Sequence, residues 1–204
     1  MEGVKNLIID LGGVLINLTR SRCLEAFENL GVENIRELLV SNYHHKDLFE
    51  GFELGTISIQ EFHDKVRALS SKDMTDEEID SAWIGMLGNI PEEKLRLLLE
   101  LRKKYHTVLL SNTNVIHWKW SEQTFFSYQG HCASDFFRKI YLSYELHLQK
   151  PEAAIFEHVL KDSGMLAEET LLIDDSSVNC KTAGSLGLRT YTPQPGEDWS
   201  HLFR

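Results

Sequence analysis

Four places in the chain set polar groups directly behind apolar runs, and together these groups could transfer a phosphoryl group. Leu7-Ile8-Ile9 ends on Asp10, the run at 107–110 ends on Ser111-Asn112, and Leu171-Leu172-Ile173 ends on Asp174-Asp175. Lys150, followed by Pro151, stands a few residues beyond a further apolar run at 139–142. A carboxylate such as Asp10 can attack phosphorus covalently and split one hard step into two easier ones. Adjacent carboxylates such as Asp174 and Asp175 repel each other unless a cation lies beside them. Mg²⁺ takes oxygen ligands and keeps several waters, so two carboxylates and a carbonyl suffice to hold it, and it offsets charge on both phosphate and nucleophile. A hydroxyl and an amide, those of Ser111 and Asn112, can hold the remaining phosphate oxygens. Lys150 adds a positive point charge, and Pro151 biases it away from helical geometry.

Taken singly, each group has a plainer reading. Asp10 before Gly12-Gly13 makes a turn, Ser111-Asn112 caps a helix, and Lys150 is a solvated lysine. The chemistry needs them in one place, so the elements that carry them decide. The runs at 7–9, 107–110, 139–142 and 170–173 are apolar without alternation, as strands buried on both faces are, and a short fifth run lies at 188–191. Helical patterns stand between them. This alternation predicts an α/β fold, a Rossmann-like doubly wound parallel sheet with right-handed crossovers. Parallel strands share a carboxyl edge, where open α/β sheets bind their ligands, and at least three of the four groups converge there.

Residues 17–88 contain no strand of the 7–9 type and read as a helical insertion. Ser58 with Glu61 and Thr75 with Glu78 are capping-box signatures ahead of apolar residues at helical spacing. Pro91 starts a helix that carries Arg102, Lys103 and Lys104 at its end. Pro151 opens another, which runs to about 162. The stretch 118–129 is aromatic and polar without a clear period, and Trp118 and Trp120 read as exposed aromatics that leave self-association open. Trp199, Leu202 and Phe203 are expected to anchor the tail.

The 204 residues are 42% hydrophobic and 25% charged, an ordinary globular composition. A net charge of -10 speaks against a nucleic-acid partner. Cys23, Cys132 and Cys180 are odd in number and widely spaced, which suits free thiols rather than disulfides or zinc. No apolar run approaches a membrane span, and the first apolar run is broken by Asp10, so no membrane partner and a cytoplasmic location are expected.

The ordered set Asp10-Leu11-Gly12-Gly13-Val14-Leu15, Ser111-Asn112-Thr113, Lys150-Pro151 and Asp174-Asp175 with Asn179 resembles the four motifs of the haloacid dehalogenase-like hydrolases. Within that family it is similar to bacterial α-D-glucose-1-phosphate phosphatases and to the N-terminal phosphatase domain of soluble epoxide hydrolase. The resemblance implies a core of residues 1–16 plus 89–204 and a small all-helical cap of residues 17–88. It implies Asp10 as nucleophile and Mg²⁺ on Asp10, the Gly12 carbonyl and Asp175. Asp174 would be a neighbour of the metal, Asn179 would orient that loop, and Ser111, Asn112 and Lys150 would bind phosphate. The expected activity is hydrolysis of a small phosphorylated metabolite, possibly a sugar phosphate, through an aspartyl-phosphate. Most family phosphatases carry an aspartate two residues after the nucleophile as general acid and base, and here that position is Gly12. The departure admits a substrate with a good leaving group, a substitute donor among His44, His45, Glu50 and Glu53, or a weakly active or non-catalytic phosphate-binding protein. A 2-haloacid dehalogenase is a further alternative, against which the uncompensated Asp174-Asp175 pair counts.

Overall fold

The structure, a computed structural model, describes residues 2–40 and 46–204. After β1 (Asn6–Ile9) come five helices, α1 (Arg20–Asn29), α2 (Ile35–Val40), α3 (Lys46–Glu53), α4 (Ile59–Ala68) and α5 (Asp76–Ile84). Then follow α6 (Glu92–Lys104), β2 (His106–Ser111), α7 (Val115–Thr124), α8 (Ala133–Phe136), β3 (Lys139–Leu142) and α9 (Ser143–Leu146). The chain closes with α10 (Ala153–Ser163), β4 (Thr170–Ile173), α11 (Ser177–Ser185), β5 (Arg189–Tyr191) and a 3₁₀ turn at Trp199–Phe203.

The strands form one parallel sheet in the order β3-β2-β1-β4-β5, so the apolar runs are strands, as their composition predicts. β1 is central. Ile9 stands opposite both Leu109 and Ile173, which brings Asp10 level with the ends of its two neighbours. From β1 the chain builds outward to β2 and β3 and then returns to β4 on the other side, a topological switch point beside Asp10. Alternate strand residues feed opposite faces. Leu7, Ile9, Leu109 and Ile173 pack with Leu98, Phe126 and Trp199, while Ile8, Val108, Leu110 and Leu172 pack with Ile155, Phe156 and Val159.

Helices α1 to α5 have an apolar cluster of their own, centred on Phe27, Phe52, Phe62 and Trp83 and completed by Ile116 of α7. Phe52 and Phe62 stack with centroids 4.2 Å apart. Both capping boxes form: the Ser58 and Thr75 hydroxyls accept the N–H of Glu61 and Glu78, whose carboxylates return to the cap N–H groups. The segment enters and leaves through a paired ribbon, in which Gly88 N–H donates to Asn17 O (2.7 Å) and Thr19 N–H to Met86 O (2.8 Å). A Cβ on Gly88 would lie 2.6 Å from that Asn17 oxygen, so the close pairing requires glycine.

Several expectations change. The aromatic stretch holds α7, capped by the Asn114 side chain on the His117 N–H. Trp118 is buried and packs on Phe126 (5.9 Å), so it is not an exposed aromatic. Pro91 is the N-cap of α6 rather than its first residue, and α10 begins two residues after Pro151. Trp199 does anchor the tail, being 1% exposed. Among the described residues no helix is long and apolar enough to cross a membrane.

Phe62 is fully buried in the helical cluster, so Phe62→Ala should lower the unfolding free energy by about 3–5 kcal/mol. Ser58→Ala, which removes only a cap, should cost about 1 kcal/mol. Urea denaturation followed by circular dichroism reads both.

Candidate active site

Asp10 stands one residue past β1, its N–H still bonded to Ile173 O (3.0 Å). The chain then turns tightly, with Leu15 and Ile16 N–H both donating to Leu11 O and Gly13 N–H to Ile16 O. Gly13 has φ +76°, and a Cβ there would lie 2.1 Å from Asp175 Oδ2. The second glycine is therefore the one the site requires: it lets the backbone behind Asp10 touch the Asp175 carboxylate. The turn is braced from outside, because Val14 O accepts Lys94 Nζ (2.5 Å) and Trp199 Nε1 (3.3 Å).

Lys150 is not solvated. Its side chain is 1% exposed, and its ammonium reaches Asp10 Oδ1 (2.8 Å), Asp174 Oδ2 (2.6 Å) and Leu110 O (3.2 Å). These acceptors match its three protons one for one. Burial alone would depress the Lys150 pKa, but the two carboxylates outweigh it and hold the group above its ordinary value, fully charged. Asp10 is pushed up to about 7 in the metal-free site by burial, which Lys150 opposes and Asp174 reinforces. The loop carrying Lys150 is fixed by a reciprocal pair: Lys150 N–H donates to Asn112 Oδ1 (2.9 Å) and Asn112 Nδ2 donates to Lys150 O (2.8 Å). That commits most of the Asn112 amide to positioning, with one N–H to spare. The cap of α7 is Asn114, so Ser111-Asn112 is not a helix cap.

Asp174 is fully buried. Its Oδ1 accepts Ser176 N–H (2.9 Å) and Asn179 Nδ2 (2.9 Å), while Oδ2 takes Lys150. Asp175 is exposed beside it, and burial of its carboxyl followed by the Asp174 charge raises its pKa. Asp10, Asp174 and Asp175 each offer an oxygen, all within 4.8 Å of one another. Three carboxylates against one ammonium leave a formal charge of minus two, which a divalent cation with oxygen ligands would neutralise.

Asp10, Asn112, Lys150 and Asp175 line a cavity of about 250 Å³, together with Gly12, Ser111, Thr113 and Asn179, while Asp174 is connected to it through its bonds to Lys150 and Asn179. The helical insertion contributes Leu18, Arg20, Glu53, Met86 and Leu87, and α7 contributes His117 and Ser121. So the structure brings the residues of the four motifs together at one place and adds a second wall of mixed polar and apolar groups. Of the proposed substitute donors, Glu53 lines the cavity, Glu50 is hydrogen-bonded by Gln149 outside its lining (2.8 Å), and His44 and His45 lie outside the described residues. His117 and Ser121 were missed because their segment lacked an apolar period. Their i, i+4 spacing is the signal that puts both on one helix face. His117 Nε2 lies 3.0 Å from Trp83 O, an acceptor, so that nitrogen carries the proton, and burial pushes its pKa down to about 4. Ser121 Oγ is buried without a hydrogen-bond partner.

The haloacid dehalogenase-like hydrolase family model matches residues 7–192. D-ribitol-5-phosphate phosphatase of Bacteroides thetaiotaomicron is 37% identical over 96% of this chain and 95% of its own length. A HAD family enzyme from the same species, crystallised with magnesium and inorganic phosphate, aligns at TM-score 0.94 and 51% identity, covering 98% of this chain and all of that one. A HAD-like hydrolase of Porphyromonas gingivalis aligns at TM-score 0.90 and 36% identity over 98% of each chain. The four strand-end groups, their shared edge and the match over nearly the whole length lead to one assignment: this chain belongs to the haloacid dehalogenase-like hydrolases.

Proposed function

We propose that the protein is a Mg²⁺-dependent phosphatase that hydrolyses a small polyhydroxylated phosphate monoester, a sugar or alditol phosphate, through a phosphorylated Asp10. The observation that carries the reading is the buried Lys150 ammonium held between Asp10 and Asp174, with Asp175 alongside. Asp10 is the nucleophile. Lys150 fixes its orientation and balances charge as the phosphoryl group arrives. Ser111 and the spare N–H of Asn112 bind phosphate oxygens. Asp10, Asp175 and the Gly12 carbonyl would hold Mg²⁺, with Asp174 kept off the metal by its own bonds to Lys150, Ser176 and Asn179. The ion supplies Lewis-acid charge neutralisation for phosphate and nucleophile. A formal charge of minus two at the site favours this reading over a dehalogenase, which has no use for a cation there.

The core, residues 1–16 plus 89–204, would carry the chemistry, and the cap, residues 17–88, would choose the alcohol. Two features support a hydroxyl-rich alcohol. Ser121 Oγ lacks a partner, and a buried hydroxyl left unbonded is costly, so a substrate hydroxyl fits beside it. Arg20, Glu53 and Asn179 add donors and acceptors around a cavity of small-metabolite size. The 37% identical relative acts, by its name, on ribitol 5-phosphate, an ester of this class.

With Mg²⁺, alditol and pentose phosphates should be turned over with higher kcat/KM than p-nitrophenyl phosphate, and EDTA should abolish turnover until Mg²⁺ is restored. A flat metabolite panel would refute the reading. Asp10→Asn should lower kcat by at least about 10³-fold, since a group acting as the nucleophile has no substitute. Lys150→Met leaves two buried carboxylates unpaired and should cost about 3–5 kcal/mol of stability in a metal-free melt, with added Mg²⁺ restoring part of it.

A further inference from the structure

An alkyl phosphate leaves as an alkoxide, a poor leaving group unless it receives a proton as the ester bond breaks. Displacement at phosphorus runs in line. Asp10 attacks from the sheet edge, so the leaving oxygen departs toward the wall built by Leu18, Arg20, Glu53, Met86 and Leu87. Gly12, beside the nucleophile, has no side chain to offer. Among the described residues lining the cavity, Asp10 is the attacking group and Asp175 belongs with the cation. Lys150 is locked on two carboxylates, and Arg20 never releases its proton. His117 is neutral, with its one proton directed at Trp83 O. Glu53 is what remains.

Resting on the phosphatase reading above, we propose that Glu53 protonates the departing alcohol oxygen and then, as carboxylate, activates the water that releases phosphate from Asp10. In the first step an Asp10 oxygen bonds to phosphorus, the phosphorus–ester oxygen bond breaks, and its electron pair takes the Glu53 proton, giving neutral alcohol. In the second, water bonds to phosphorus from the same side, its proton passes to Glu53, and the Asp10–phosphorus bond breaks to restore the carboxylate. The cycle ends with Glu53 protonated and consumes one water.

The position of Glu53 is fixed to the core rather than to the helices alone. Ser143 Oγ accepts Thr113 N–H (2.9 Å) and donates to Glu53 O (2.6 Å), so one hydroxyl joins the loop after Ser111-Asn112 to the end of α3. Next in the chain, Leu54 O lies 2.9 Å from His147 Nδ1. Then comes Gly55, at φ +69°, where a Cβ would lie 2.1 Å from Tyr144 O. Three consecutive residues are thus seated on the segment that follows β3. The charges facing the Glu53 carboxyl suit a proton that comes and goes. Burial raises its pKa, Arg20 of α1 lowers it and Glu50 of its own helix raises it, leaving it near about 7. Across the cavity stand Asp10, Asp175, Lys150 and neutral His117, and His147 flanks the helix end. A donor of that strength is matched to neutral pH.

The test compares wild type and Glu53→Gln on an alditol phosphate and on p-nitrophenyl phosphate, whose phenolate leaves without help. Loss of a general acid lowers kcat/KM for the alkyl ester on the order of 10²–10⁴-fold, and the loss for the aryl ester should be at least about ten times smaller. The wild-type rate on the alkyl ester should fall as pH rises through about 7, because the protonated carboxyl is the active form, and Glu53→Gln should lack that limb. Equal losses on both esters, or an unchanged alkaline limb, would overturn the proposal. Thermal melts of the two proteins identify a folding defect, which would depress both esters alike. Wild type that hydrolyses neither ester would instead bring down the phosphatase reading itself.

Discussion

A single buried ammonium sets the terms for the rest of this molecule. Removing Lys150 from water costs several kcal/mol unless each of its protons meets an acceptor, and the three acceptors come from three different strand ends: Asp10 after β1, Leu110 O within β2 and Asp174 after β4. Those strands must therefore be adjacent, parallel and in register. The Asn112 amide must grip the Lys150 backbone, and Ser176 and Asn179 must fill the rest of Asp174. The three protons of Lys150 and both carboxylate oxygens of Asp174 are thereby all engaged. What the fold presents at this edge is an Asp10 carboxyl with one orientation, held among charges arranged in advance.

Beside the Gln149–Glu50 and His117–Trp83 O bonds, two supports seat the helical insertion on this edge. One is the ribbon of Asn17, Thr19, Met86 and Gly88, which joins the insertion to the turn behind Asp10. The other is the seat of Glu53, Leu54 and Gly55 on the segment after β3. Between them hang the apolar cluster of α1 to α5 and the polar wall of the cavity. Because Ser143 touches both Thr113 and Glu53, the loop after β2 and that wall share one anchor.

Much of this was legible in the sequence, for definite reasons. Strands buried on both faces must be apolar throughout, so residues 7–9, 107–110 and 170–173 stood out, and a carboxylate that ends such a run falls where a parallel sheet binds its ligands. The two capping boxes are local chemistry and formed as read. What failed was whatever depended on partners far along the chain. Lys150 was placed at the site with the ordered set, but its local sequence does not show its burial, which Asp10 and Asp174, 140 and 24 positions away, make tolerable. Trp118 looked exposed because α7 is packed on both sides, against Phe126 on one and the cluster around Ile116 on the other, which erases the period that would reveal a helix. Arg20 and Ser143 carry no local signature at all: Arg20 matters only once α1 is brought to the cavity, and Ser143 only once the start of α9 meets Thr113 and Glu53.

The bare backbone at Gly12 also constrains how this lineage can change. A Cβ there would come within 3.2 Å of a methyl of the exposed Leu18, which must turn aside by a few tenths of an ångström to admit it. An acidic side chain at position 12 would then enter a site that already carries an excess of two negative charges, facing Glu53 across a cavity of about 250 Å³. Each carboxyl would raise the affinity of the other for protons. Under the proposed role of Glu53, the two positions would be alternatives for one proton. Positions 12 and 53, 41 residues apart in the chain, are thus coupled by charge through the one cavity that both line.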